Sequence, residues 1–409
     1  MHNENLQSSS RRHALFTGGG LVALMASPEI VLAATDAATP APAAGAKPLP
    51  AYATWKDADA MIVHSPITVE LKRKYIGNAA LTPSNRLYVR NHMPPPSEDI
   101  VKDPDAWEIE IAGVAKPARL TVADLKRMGL NSVTMVLQCS GNGRAYFPHK
   151  PAGSKWTEGA AGCVEFTGVP VKSVVAALGG LAHGGRFMTS TGGEVLPKDM
   201  DPLKLVIERS VPIADTLDHA LLAWELNGAP IPLANGGPLR MVVPGFFGIN
   251  NVKYIKHLAF TKDQTAANIQ QNEYRFTPVG VKGSPKFPTM WKMAANSWIT
   301  APYGLDKPLS AGRVQLAGVA FGGYQALKSV EVSIDGGRTW RPARWFGPDM
   351  GRFAWRNFVL SVDLKPGKYR VASRAMDAAG KKQPEKRAEN EAGFNDNSWA
   401  DRSFELEVA

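Results

Sequence analysis

The side chains of this 409-residue chain best suited to chemistry fall in four short segments. In LQCSGNGR (137–144) an apolar run delivers Cys139 into a loop broken by Gly141 and Gly143 and closed by Arg144. A thiolate is a soft ligand for a transition metal, and a nearby cation favours the thiolate over the thiol. Two blander roles stay open for Cys139: a small buried core residue, or half of a disulfide with Cys163, the pairing that spacing alone favours in an exported chain. In YVRNHMPPP (88–96) the two-residue period of a strand puts Arg90 and His92 on one face. Arginine grips an oxyanion through two parallel hydrogen bonds, and histidine binds an acidic group or relays a proton. In GGPLRMVVPG (236–245) glycines let backbone approach a ligand, while Arg240 and the later Lys253 offer charge for a phosphate. A buried strand with basic ends explains that segment equally well. Tyr274, between Glu273 and Arg275, reads on its own as an ordinary surface tyrosine.

Behind these segments two textures succeed one another. From Arg86 to about Met290, apolar runs (WEIEIAG at 107–113, SVTMVLQC at 132–139, LRMVVPG at 239–245) alternate with helix-like patches. In LTVADLKRMG (120–129) Thr121 can cap a helix and Gly129 can stop it. That is a mixed α+β domain. After Ser297 the chain turns to evenly spaced strand patterns, with Asp335-Gly336-Gly337 as a hairpin turn, which predicts an immunoglobulin-like β-sandwich. The domain reading is residues 1–33 an export signal, 34–85 a linker and N-terminal extension, 86–290 the catalytic domain and 291–409 the sandwich.

The N-terminus reads as a twin-arginine signal: Arg11 and Arg12 directly follow a serine, ahead of a mild apolar run from Ala14 to Ala26, and Val31-Leu32-Ala33 offers a cleavage site. Periplasmic export of an already folded chain is the expectation. The apolar run is too short and too glycine-broken for a membrane span. Two cysteines exclude a disulfide framework and a four-cysteine zinc site, and there is no C-x-x-C-H for attached haem. The net charge is +10; residues 1–33 carry two arginines and two glutamates, so the surplus belongs to the mature protein. The basic residues are scattered without a recognition motif, which argues for an anionic substrate or acidic partner and against nucleic acid.

Together the segments resemble the sulfite oxidase family of molybdenum-cofactor enzymes, over nearly all the mature chain. LQCSGNGR is similar to that family's molybdenum-cysteine segment, VRNHMPPP (89–96) to its substrate and cofactor segment, and SKWTEGAAGCVEFTGVPV (154–171) to the stretch that follows the metal cysteine. WELNGAPIP (224–232) with NGGPLRMVVPGFFGINNVKYI (235–255) is similar to its pterin-phosphate segment, and SIDGGRTW (333–340) with AWRNF (354–358) to its dimerisation domain. The resemblance implies that Cys139 ligates molybdenum held by one molybdopterin, and that Cys163 is no ligand and stays unbridged. It implies that Arg90, Arg144 and Tyr274 surround the substrate oxyanion with Trp156 as a pocket wall, and that Asn91, His92, Arg240 and Lys253 contact the cofactor.

Within the family, an exported chain without haem resembles bacterial periplasmic sulfite dehydrogenases. That implies oxidation of sulfite to sulfate, single electrons passed to an external c-type cytochrome, and a homodimer through the C-terminal domain. Two departures stand out. Animal members carry an arginine where this chain has Ala392, and the family's histidine five residues before the phosphate-binding arginine is Asn235 here, a substitution that resembles the bacterial sulfane and sulfite dehydrogenase branch. Three other readings compete. One is the sulfane dehydrogenase subunit of a sulfur-oxidising complex; another, a methionine sulfoxide reductase of the same superfamily, lacks the second domain. The third is a non-catalytic exported binding module, which predicts no metal and tolerance of Cys139→Ser.

Overall fold

The structure is a computed structural model that describes residues 47–97 and 100–409. The export signal and most of the linker read from the sequence lie outside the described residues.

The first half contains thirteen strands: β1 (Met61–Ser65), β2 (Thr68–Leu71), β3 (Val89–Arg90), β4 (Glu108–Ala112), β5 (Ala118–Thr121), β6 (Asn131–Gln138), β7 (Ala161–Pro170), β8 (Phe187–Gly192), β9 (Glu208–Pro212), β10 (Leu221–Leu226), β11 (Ala229–Pro230), β12 (Arg240–Val242) and β13 (Ile255–Thr261). They form three sheets, ordered β1-β2-β3, then β11-β10-β7-β6 with β12 also on β10, then β5-β4-β13-β8-β9. Short helices connect them: α1 (Val122–Arg127), α2 (Val171–Ala177), α3 (Pro202–Leu205), α4 (Ile213–Thr216) and α5 (Asn268–Gln271). In α1 Thr121 and Asp124 form a reciprocal capping box, each side chain satisfying the other's backbone N–H, and Gly129 follows at φ +141°.

The segment assigned from sequence to a linker and extension is folded from Ala51 onward. The β1–β2 hairpin continues the sheet onto β3 through Thr68 opposite Arg90 and Val69 opposite Val89. The extension therefore fixes the strand that carries Arg90.

The second half holds β14 (Asn296–Ala301), β15 (Gly312–Phe321), β16 (Leu327–Ser333), β17 (Arg341–Pro342), β18 (Arg344–Phe346), β19 (Arg356–Leu364), β20 (Gly367–Asp377) and β21 (Phe404–Val408). Two antiparallel sheets result, β14-β15-β19-β18 and β17-β16-β20-β21. Leu316, Phe358 and Val362 from the first meet Val330, Val371 and Leu406 from the second in one buried core. The Asp335 region joins β16 to β17 as a loop braced by Ser333 Oγ and the Asp335 carboxylate, longer than a two-residue turn.

The two halves are locked by buried charge. Arg73 donates to Glu158 Oε1 at 2.8 Å and to the carbonyls of Ile299 and Arg402, while Arg402 pairs with Asp396 at 3.0 Å. Among the described residues no helix is long and apolar enough to cross a membrane.

Candidate functional site

Cys139 follows the last residue of β6, and its N–H donates to Ala160 O, so the strand carries the thiol to the rim of a cavity. Both cysteines are buried and free. On the β6–β7 ladder Cys163 lies opposite Val136, three residues from Cys139. That is roughly 10 Å along the strand and on the other face, too far for a disulfide. Burial pushes the Cys163 thiol up to about 12, leaving it an inert core residue.

The cavity's polar lining comes from three segments. Arg240 is 3% exposed and anchored by the carbonyls of Asn235, at 2.6 Å, and Asn251, at 3.2 Å. Lys253 donates to Ala234 O at 2.6 Å, to Arg90 O at 3.2 Å and to Asn91 Oδ1. Neither cation has an ion-pair partner among the described residues. Burial pushes Arg240 down to about 10, and burial with Arg240 nearby holds Lys253 well below its ordinary value. Unpaired cations lining a cavity are complementary to an anion. Four buried polar atoms around the same cavity lack any hydrogen-bond partner: Asn91 Nδ2, Ser140 Oγ, Glu194 Oε2 and Asn235 Oδ1. Such atoms are rare in a folded chain, and a polar, phosphorylated cofactor would satisfy them. The residues present thus fit molybdopterin, whose metal a Cys139 thiolate would ligate.

A second, open cavity adjoins the first. Arg90, His92 and Tyr274 line both and form their common wall. Tyr274 Oη lies 3.0 Å from His92 Nε2, and its ring stacks on Phe394 with centroids 5.1 Å apart and planes 7° from parallel. Tyr274 has φ +39°, a left-handed conformation unusual for a bulky residue and typical of over-determined functional positions. Burial, then Arg90, Lys253 and Arg209, hold His92 well below its ordinary pKa, so the imidazole is neutral. β3 ends at Arg90, so the strand period that pairs Arg90 with His92 in the sequence does not run between them. The shared wall brings them together instead.

Arg144 enters the open cavity from the Cys139 loop. Its Nε donates to Ala392 O at 2.9 Å and its Nη1 to Ser154 O at 3.2 Å, while Nη2 has no hydrogen-bond partner among the described residues. Glycines sheathe it. A Cβ on Gly141 would stand 2.3 Å from Nη2, one on Gly153 2.8 Å from Nη1, and one on Gly393 2.9 Å from Cγ. Ala392, the position of the missing third arginine, contributes a carbonyl that orients Arg144. The turn holding it is braced by fully buried Asn390, whose Oδ1 accepts from Phe394 N–H. The second half of the chain therefore completes the site.

Trp156 is a correction. It is 1% exposed and lines neither cavity. Glu70 Oε1 accepts from the N–H groups of Thr157 and Gly159 and draws this segment onto β2. Trp156 therefore packs edge-on against Tyr88, at 6.3 Å, and His64, at 5.0 Å. It supports Tyr88, which does line the cofactor cavity. Sequence reasoning missed Glu194, a cavity-lining carboxyl pushed up to about 7 by burial. Its one signal is a Gly192-Gly193-Glu194 run at the end of a strand.

Comparison with known proteins accords with this geometry. Residues 92–269 match the oxidoreductase molybdopterin binding domain, and residues 288–405 match the Mo-co oxidoreductase dimerisation domain. The chain is 30% identical over 342 residues to sulfite oxidase of Gallus gallus, covering 78% of this chain and 72% of that protein. It is 28% identical over 355 residues to mitochondrial sulfite oxidase of Homo sapiens, covering 82% of this chain and spanning 63% of the relative's length. The crystal structure of the sulfane dehydrogenase SoxCD from Paracoccus pantotrophus shares the fold, with a TM-score of 0.70 at 24% identity over 85% of this chain and 89% of that one. With a cofactor cavity reached by Cys139, a matching domain pair and relatives of this kind, the chain belongs to the sulfite oxidase family of molybdenum-cofactor oxidoreductases.

Proposed function

We propose that this protein oxidises sulfite to sulfate and passes the electrons singly to an external c-type cytochrome. The observation that carries the reading is the common wall of Arg90, His92 and Tyr274 between the Cys139 cavity and the open cavity of Arg144. Sulfite and water give sulfate, two protons and two electrons. When bound, the molybdenum cofactor supplies the oxygen transfer and the two-electron sink.

The chain's own residues do the rest. Arg90, whose guanidinium has no hydrogen-bond partner among the described residues, and Nη2 of Arg144 are free to grip an anion. Donors fixed in place beforehand stabilise shifting charge without solvent having to reorganise. The neutral His92 accepts the Tyr274 hydroxyl proton, so the pair holds a mobile proton on the substrate side. Asn91, Arg240 and Lys253 would seat the cofactor's phosphate, and Cys139 would supply a thiolate to its metal.

Around this centre we place a periplasmic homodimer joined through an immunoglobulin-like second domain and exported folded by the twin-arginine route. The match of residues 288–405 to a dimerisation domain and the sequence of residues 1–33 support those two points. The backbone likeness to SoxCD supports a second reading, oxidation of sulfane sulfur within a complex. Sulfate formed from free sulfite by the isolated, molybdenum-loaded chain separates the two. A chain inert toward sulfite until companion subunits are added belongs to the second.

A further inference from the structure

Arg209 lies on β9, 1% exposed and lining neither cavity. Its Nε and Nη2 donate to Asn250 Oδ1 at 3.3 and 3.2 Å, and its Nη1 to Ile269 O at 2.7 Å. No carboxylate forms an ion pair with it among the described residues, and burial pushes its pKa down to about 9. An uncompensated buried cation weighs against the fold, and an apolar side chain of similar size fills such a position at less cost. The charge is therefore to be explained by what it faces.

It faces Tyr274. The guanidinium carbon stands 5.7 Å from the centroid of the Tyr274 ring, within range of a cation–ring interaction, which is strongest when desolvated. The asparagine that holds Arg209 also holds the tyrosine backbone: Asn250 Nδ2 donates to Met290 O at 3.0 Å, and Met290 N–H donates to Tyr274 O at 2.8 Å. Ile269, the other anchor, sits in α5, just ahead of Tyr274 in the chain. Of the other charged or titratable groups around the phenol, Arg90, Arg144 and His92 line the cavities, as do Cys139 and Glu273. Substrate and solvent alter those groups, whereas Arg209 is out of reach of both.

We propose that Arg209 is the positioning residue of the anion site, an enclosed cation that fixes the ring and left-handed backbone of Tyr274 and favours release of its phenolic proton. The inference deepens the sulfite reading, on which the catalytic use of Tyr274 rests.

Its test has one readout that needs no turnover. With 3-nitrotyrosine placed at position 274 in the loaded full-length enzyme, the nitrophenol is titrated by its visible absorbance. Arg209→Gln and Arg209→Met should each raise the titration midpoint, and an unchanged midpoint would overturn the proposal. In natural-tyrosine enzyme both variants should melt within a few degrees of the parent and lose about tenfold or more in kcat for sulfite. In a Tyr274→Phe background the same changes should cost less than about threefold, because coupled residues are not additive. Full additivity, or failure of both variants to fold, assigns Arg209 to the core and refutes the proposal. If the parent does not oxidise sulfite, the function reading fails while the titration still decides the role of Arg209.

Discussion

The hydroxyl of Tyr274 lies 3.0 Å from Nε2 of His92, although 182 residues separate the two in the chain. Burial, with three cations around this contact, keeps the imidazole neutral, and in the tautomer protonated at Nδ1 its Nε2 accepts from the phenol. A histidine held neutral by its fold binds fewer protons than the unfolded chain. The stability it contributes is complete above about pH 6.5 and declines as pH falls through the interval down to the lower folded value. Thermal midpoints between pH 4 and 8 should therefore drop on the acid side in the parent and drop less in His92→Phe. Equal acid slopes in the two proteins would remove His92 from this role.

Arg144 is predicted to depend on its glycine sheath. Gly141→Ala places a methyl group against Nη2, the terminal nitrogen with no hydrogen-bond partner among the described residues. Loss of one charge-assisted hydrogen bond, worth about 1.5–3 kcal/mol, lowers kcat/KM for sulfite by about 10- to 100-fold. Steady-state kinetics at unchanged molybdenum content measures it, and parent-like kinetics would show that Arg144 does not touch the anion.

Arg240 and Lys253 are buried cations with no ion-pair partner among the described residues, so their removal should act oppositely on the two forms of the protein. Lys253→Met is expected to leave the cofactor-free chain as stable as the parent or more so, and to abolish retention of molybdopterin. Melting curves with and without cofactor, together with pterin analysis, check this. A variant that melts early yet keeps its cofactor would place Lys253 in the core.

The two cysteines should behave differently. Cys139→Ser is expected to keep the fold and lose turnover of sulfite, whereas Cys163→Ala loses only core packing, about 1–2 kcal/mol for one small group, and keeps turnover. Turnover and melting temperature of both variants provide the check.

What the sequence disclosed followed from how local each signal was. The Cys139 loop, the Thr121 cap and the strand rhythm after Ser297 are short-range patterns, and the structure carries them at those positions. The meeting of Arg90, His92 and Tyr274 is tertiary, and Tyr274 alone read as a surface residue. Arg209 carried no signal, because an arginine on a short strand ordinarily points to solvent and only the packing of α5 and Asn250 reveals otherwise. Trp156 was misplaced for a related reason: the buried carboxylate of Glu70, distant in sequence, decides where the tryptophan segment sits.

The central claim is a molybdenum centre at Cys139, and molybdenum per chain tests it most directly. The protein is expressed from its full sequence in a host that makes the cofactor, and its metal is measured by elemental analysis. The account predicts close to one molybdenum atom per chain. A well-folded preparation with none would contradict it and return the chain to a non-catalytic binding module.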